Sequence, residues 1–292
     1  MAQKLLVYLT CILWPFLSNA QGNDVVYPKT FLWEITGNGL NQPSYLYGTI
    51  HVICKQDVNL SAVLLNKLLL CKSIFFETTF QPKLDTNNRY ALLPKDTSLS
   101  DLLGEQLYQK FKSLPFDTKT IDTSLLKQLK PFTASRLVDM AMLGCAGTSY
   151  EMELLKIAQK NGITVNGLAT PKEHAAIIDK IPFHTQVLQL KFQLRMLEAK
   201  KKMMGHLQQL YKNKEIWQLY RNTAFIENTN YTSPIKEPLL DTRNISWLPI
   251  IIKSIQQQSC FFAVGCAHLP GDGGVITLLR EQGYTVNPIF YY

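Results

Sequence analysis

Apolar residues along this chain recur in two periods, one suited to strands and one to helices. "FLWEITG" and "SYLYGTIHV" are rich in aromatic and β-branched residues, and "NGLNQP" between them is turn chemistry. They predict a hairpin near the N-terminus. "SIFFETTF" is a continuous apolar run, as expected of a strand buried on both faces. "ITVNGLAT", "CFFAVGCAH" and "YTVNPIFYY" read the same way.

Helical spacing fills the intervals. "LSAVLLNKLLLCK" predicts a helix capped by Ser61, and "SYEMELLKIAQKNG" one that stops at Asn161-Gly162. "PKEHAAIIDKI" places proline at a first helical position. The long stretch from Pro182 to Phe225 predicts helix in two pieces, and "DTRNISWLPIIIKSIQQQ" a helix with Pro249 near a bend. "GGVITLLREQG" predicts a short helix closing before Gly283. An opening hairpin followed by alternating strands and helices gives an α/β (mixed α+β) class, a central mixed sheet with helices on both faces. The helix-rich region at about 95–150 reads as an insertion within one domain spanning 21–292, since no linker or repeat divides the chain.

The first twenty residues stand apart. Lys4 precedes the apolar run "LLVYLTCILWPFL", and "SNA" ends at Ala20 with small residues where a signal peptidase reads. This predicts a cleaved signal and an exported chain, periplasmic or secreted. A lipoprotein is the lesser alternative, because "YLTC" is a poor lipobox. The run is too short to span a bilayer, and no later segment is apolar enough to do so.

Five cysteines remain after cleavage: Cys54, Cys71, Cys145, Cys260 and Cys266. The absence of CxxC pairs excludes a zinc ribbon and leaves at most an isolated bridge. Cys71 and Cys260, at the edges of apolar runs, read as buried thiols. The formal net charge of +8 is spread out, with one concentration in "EAKKKMMGHLQQLYKNK". That stretch reads as a solvated helix face, and no nucleic-acid-binding motif accompanies it.

Candidate chemistry lies where strands end. "YLYGTIHV" and "FAVGCAHL" share one local form: apolar strand, glycine, two residues, histidine. Gly48 and Gly265 allow close backbone approach, and His51 and His268 fall at the carboxyl ends of strands, where open α/β sheets bind ligands. Taken singly, each histidine also fits an ordinary turn or core residue. Glu77 follows four apolar residues, and a buried carboxylate needs a partner, a proton or a metal. Arg243, at a helix start, suits a carboxylate or an oxyanion; a surface arginine is the plainer alternative. "PGDGGVITLLREQG" has a glycine-rich loop before a helix. It lacks the spacing and lysine of a phosphate loop, so it reads chiefly as a turn. His174 and His206 read as solvent-facing, and His184 as a helix-entry residue. Neither G-x-S-x-G nor H-E-x-x-H is present.

The two G-x-x-H motifs, the intervening glutamate and the later arginine resemble the TraB/GumN/TIKI-like family. "SIFFETTF", "DTRNISWLP" and "SYEMELLKIAQKNGITVNGLATPKEHAAIIDKIP" fit its order over nearly all of the mature chain. The resemblance implies a fold like that of erythromycin esterases and ChaN haem-binding proteins. It implies a divalent-metal-dependent hydrolase, with peptide cleavage known for the animal members. His51 and His268 carry over as metal-site or catalytic residues, Glu77 as their acidic partner and Arg243 as the basic group. One departure stands out: Ala169 in "GLAT" replaces a usual glutamate. His174 stands where glutamine is more usual.

The expectation is therefore an exported metal-dependent hydrolase acting on a peptide or small molecule. A divalent ion (Mn²⁺, Co²⁺ or Zn²⁺) would be held by His51, His268 and Glu77, with Glu77 and Arg243 also in catalytic roles. The alternative is an envelope protein that binds a metal, haem or small ligand without turnover. A purely structural module would leave the two histidines apart.

Overall fold

A computed structural model describes residues 27–79, 89–116, 121–225 and 237–291. The segment read as a signal, with Ala20, lies outside the described residues. The chain runs through β1 (Leu32–Thr36), β2 (Ser44–Thr49), β3 (Ile53–Cys54), α1 (Ala62–Leu69) and β4 (Ser73–Phe76). Next come α2 (Leu99–Leu103), α3 (Glu105–Lys112), α4 (Pro131–Ala141), β5 (Gly147–Thr148), α5 (Tyr150–Lys160), β6 (Thr164–Gly167) and α6 (Pro171–Ile178). Then follow α7 (Phe183–Arg195), α8 (Leu197–Lys212), α9 (Ile216–Phe225), α10 (Thr242–Gln257), β7 (Cys260–Gly265), α11 (Val275–Glu281) and β8 (Thr285–Ile289).

Six strands form one mixed sheet in the order β6-β4-β7-β2-β1-β8. The first four run parallel, and β1 is antiparallel to both β2 and β8. Every residue of β2, β4 and β7 is buried. Successive side chains on a strand point to opposite faces, so both faces of the centre are covered. The cover comes from Leu64 and Leu68 of α1, Leu154 and Ala158 of α5, Trp247 and Ile251 of α10, and Val275 and Ile276 of α11. The mixed α/β class, read from the alternation of strand and helix patterns, is the one observed.

The local signals act as their chemistry requires. Ser61 accepts the Leu64 N–H at 3.2 Å at the start of α1. Thr170 and Glu173 form a reciprocal capping box on α6, with Pro171 in the first turn. Gly162, at φ +67°, takes the left-handed turn after α5.

Some expectations need correction. The Pro182–Phe225 stretch forms three helices, not two, broken at Met196 and at Lys214, whose φ is +57°. β6 and β8 are edge strands and only partly buried. A short apolar run cannot distinguish an edge from a centre, because that depends on which neighbours pair with it.

The helical insertion has its own apolar cluster. Leu99, Phe111, Leu129 and Val138 pack with Leu190 and Leu194 of α7. The segment returns to the main body through β5, which pairs antiparallel with β3 in a separate two-stranded ribbon. A Cys54–Cys145 disulfide closes the end of that ribbon. Cys71, Cys260 and Cys266 are free and buried, as read for the first two.

Candidate active site

Three neighbouring parallel strands, β4, β7 and β2, end on the same edge of the sheet. Their register pairs Thr49 with Gly265 and Phe76 with Ala263. The residues just beyond those ends therefore meet: His51 after β2, Glu77 after β4, and His268 in the short 3₁₀ turn after β7. Arg243 enters from the first turn of α10, preceded by a π-turn at Glu237–Asp241. The structure thus brings all four sequence-selected residues into one cluster.

Glu77 is the hub. Its Oε1 accepts the Gly265 N–H at 2.7 Å. The same oxygen lies 3.4 Å from His51 Nε2 and 3.6 Å from His268 Nε2. Its Oε2 takes a 2.5 Å bond from Arg243 Nη2. Arg243 Nη1 donates to His268 Nε2 at 3.2 Å and to the Leu239 carbonyl at 3.3 Å, and the guanidinium lies 4.5 Å from the Trp247 ring centre. A buried carboxylate here is matched on both oxygens, which offsets its desolvation.

The glycines serve the approach. A Cβ on Gly265 would stand 2.9 Å from His51 Nε2 and 3.0 Å from Glu77 Oε1. A Cβ on Gly48 would press at 3.0 Å on the Cys266 backbone. Gly265 thus leaves space for His51 and Glu77, while Gly48 lets the turn that carries His268 pack against β2.

Each imidazole is fixed from behind. His268 Nδ1 lies 2.7 Å from Asn244 Oδ1, while the Asn244 amide nitrogen donates to the His268 and Gly273 carbonyls. Those two donations orient the amide, so Nδ1 carries the proton and Nε2 keeps its lone pair. His51 Nδ1 lies 2.7 Å from Glu151 Oε1, which also accepts the Thr49 hydroxyl at 2.5 Å. The side chains of His268, Glu77, Arg243 and Glu151 are buried, whereas that of His51 is 44% exposed. His51 is the group at the mouth.

The environments drive the two histidines apart. For His51, burial alone would lower the pKa, but the Glu151 and Glu77 carboxylates outweigh it and raise it. For His268, burial, joined by the Arg243 charge, pushes the pKa down to about 3 against the pull of Glu77. Burial would raise Glu77, yet Arg243, both histidines and the Gly265 N–H hold it well below the usual range. Glu151 is lowered likewise, its burial outweighed by His51 and Thr49. At neutral pH the cluster holds a neutral His268 beside an Arg243–Glu77 ion pair, with the pKa of His51 raised by the two carboxylates.

The donors suit a divalent ion chemically: two imidazole Nε2 atoms, each backed by an outer hydrogen bond, face one carboxylate oxygen. As they stand, no group of three His, Cys, Asp or Glu side chains among the described residues is arranged to hold a metal. Arg243 meanwhile occupies His268 Nε2. Several buried atoms around the cluster lack a hydrogen-bond partner among the described residues: Glu151 Oε2, Thr78 Oγ1, His174 Nδ1 and Arg243 Nε. Ordered water or a polar ligand would satisfy such atoms.

Sequence reasoning missed Glu151, Asn244 and His174. Glu151 sits in the first turn of α5, beside the Ser149 cap, and that position was its one local signal. His174 does not face solvent as read. α6 packs against the turn before Arg243, and His174 Nδ1 is buried. Burial, with Arg243 next, lowers its pKa to about 4. His184 and His206 are exposed and outside the cluster. The glycine loop is a turn whose amides are engaged: Gly271 donates to the Tyr27 hydroxyl, Gly274 to the Gly271 carbonyl and Ile276 to the Leu269 carbonyl.

No helix among the described residues is long and apolar enough to cross a membrane. No curated protein and no solved structure matches the chain. The family model described as TraB/PrgY/gumN matches residues 31–288, from β1 to the end of the sheet, and the chain belongs to that family.

Proposed function

We propose that this protein is a metal-dependent hydrolase of peptide or related acyl bonds. The observation that carries the reading is the convergence of His51 Nε2 and His268 Nε2 on one Glu77 oxygen, at 3.4 and 3.6 Å. His51, His268 and Glu77 would hold Mn²⁺, Co²⁺ or Zn²⁺, which supplies Lewis-acid polarisation and an acidified water when bound. Glu151 holds His51 through Nδ1, which leaves Nε2 free to face the metal position. Arg243 fixes Glu77 and places a cation beside developing negative charge. Asn244 holds the His268 tautomer. Export to the periplasm or outside, after cleavage near Ala20, belongs to the same proposal, and the Cys54–Cys145 disulfide supports it.

The test is a panel of peptides and esters, assayed with each metal and with a chelator. Metal-dependent turnover that disappears in His51→Ala and Glu77→Gln is expected. If the protein binds none of the metals and His51→Ala behaves identically, the reading fails.

A second reading is favoured by Ala169. It follows Leu168, whose N–H donates to the Phe76 carbonyl, so it lies at the end of β6 next to the end of β4 and brings no carboxylate there. A site one acid short suits ligand holding without turnover. Thermal stabilisation by metal or haem, lost in His268→Ala and unaccompanied by hydrolysis, would select this reading.

A further inference from the structure

Two chain segments run antiparallel beside the cleft, outside the six-stranded sheet. The Tyr150 N–H donates to the Ile50 carbonyl at 3.3 Å, and the Lys55 N–H to the Ala146 carbonyl at 2.8 Å. Between them Ile53 faces Thr148 and Cys54 faces Gly147. One segment carries His51. The other leads through the Ser149 cap directly to Glu151. A two-stranded ribbon this short is marginal by itself. What closes it is the disulfide between Cys54 and Cys145, three residues beyond His51 and six before Glu151.

We propose that the Cys54–Cys145 disulfide is a redox-sensitive clasp that positions Glu151 against His51. The oxidised chain holds the pair in contact, and reduction slackens it. A dithiol reductant supplies the electrons. It loses two electrons and two protons to become a disulfide, while Cys54 and Cys145 each leave as a thiol. Cys145 is partly exposed between exposed Gly144 and Ala146, whereas Cys54 is buried, so the Cys145 end of the bridge is the one nearer solvent. The other three cysteines among the described residues are buried and free, which leaves this bridge as the place for exchange among them. The central sheet needs no help from the clasp, because its strands are paired and covered on their own. The inference stands on the His51–Glu151 geometry, whatever reaction the cluster performs.

Cys54 and Cys145 are positioning residues, and the experiment reads the pair they position. In the full mature chain, proton NMR follows the His51 Nδ1–H bonded to Glu151, assigned by its loss in His51→Ala. Hydrogen exchange follows the Tyr150 and Lys55 amides against those of Leu46 and Phe262. Addition of dithiothreitol, or the Cys54→Ser/Cys145→Ser double substitution, is expected to abolish the Nδ1–H signal and speed ribbon exchange at least tenfold. The sheet amides should keep their protection, and reoxidation should restore the signal. An unchanged Nδ1–H signal in the fully reduced chain overturns the proposal. So does simultaneous loss of protection in the sheet, which would make the bridge a general staple. Should the double variant fail to fold, reduction of the folded wild-type chain gives the same two readouts.

Discussion

A Cβ on Gly265 would stand 2.9 Å from His51 Nε2, so a side chain there must push the imidazole aside. The Gly265 φ of −52° is open to any residue, so the constraint is space alone. Gly265→Ala is expected to displace His51 and Glu77 and to cost about 1–3 kcal/mol in stability. Metal binding and any turnover should fall well beyond that loss of fold. Denaturant unfolding beside metal titration checks this, and a variant that binds as wild type would show that the cluster tolerates the shift.

Glu151→Gln keeps the shape of the side chain and removes its charge. The carboxylate is among the groups that raise His51, against burial. The His51 pKa in the variant should therefore fall, followed by NMR titration of the ring. A raised histidine stabilises the fold below its unfolded pKa, near 6.5, and that contribution fades as pH rises through the folded value. The variant should lose this part of the acid-side stability. A His51 titration unmoved by the substitution would contradict the role given to Glu151.

The sequence made the paired histidines legible because each follows the same strand-glycine form, and it made Glu77 legible because a charge ends an apolar run. Parallel register then does the rest, since Thr49 and Gly265 end side by side. Glu151 was not legible. It lies one hundred residues from His51, in a helix where Glu153 looks equally eligible, and the long-range pairing of the β3–β5 ribbon brings the two together. Asn244 was hidden for a similar reason, since an asparagine next to Arg243 acquires meaning only through the His268 ring it meets. Burial of β6 and β8 was overestimated because strand order is a long-range property.

His268 should make the fold acid-sensitive. Its pKa is pushed down to about 3, by burial and by Arg243, whereas the unfolded chain takes up this proton near 6.5. Between those values the unfolded state binds more protons, so stability falls as pH falls, at up to about 1.4 kcal/mol per unit. Glu77, whose folded pKa is depressed, adds to the loss below about 4.5, the ordinary carboxylate value. Urea unfolding of wild type and His268→Gln from pH 7 to 4 should show a shallower decline in the variant. Equal slopes would mean that His268 does not stay neutral in the folded chain.

His174 offers a test of whether the cluster is built for a ligand. Its Nδ1 is buried without a hydrogen-bond partner among the described residues. A buried polar atom left unpaired costs about 1–3 kcal/mol, and an apolar replacement of similar bulk removes that cost. His174→Leu should thus leave stability unchanged or raise it by about 1 kcal/mol, where truncating a satisfied core residue would lower it. If the nitrogen meets a ligand, the same substitution should weaken binding or slow turnover. Thermal melts with and without added Mn²⁺, Co²⁺ or Zn²⁺ separate the two effects. A loss of more than about 2 kcal/mol in the metal-free protein would show that Nδ1 is satisfied within the fold, and His174 would then be a core residue beside the cluster.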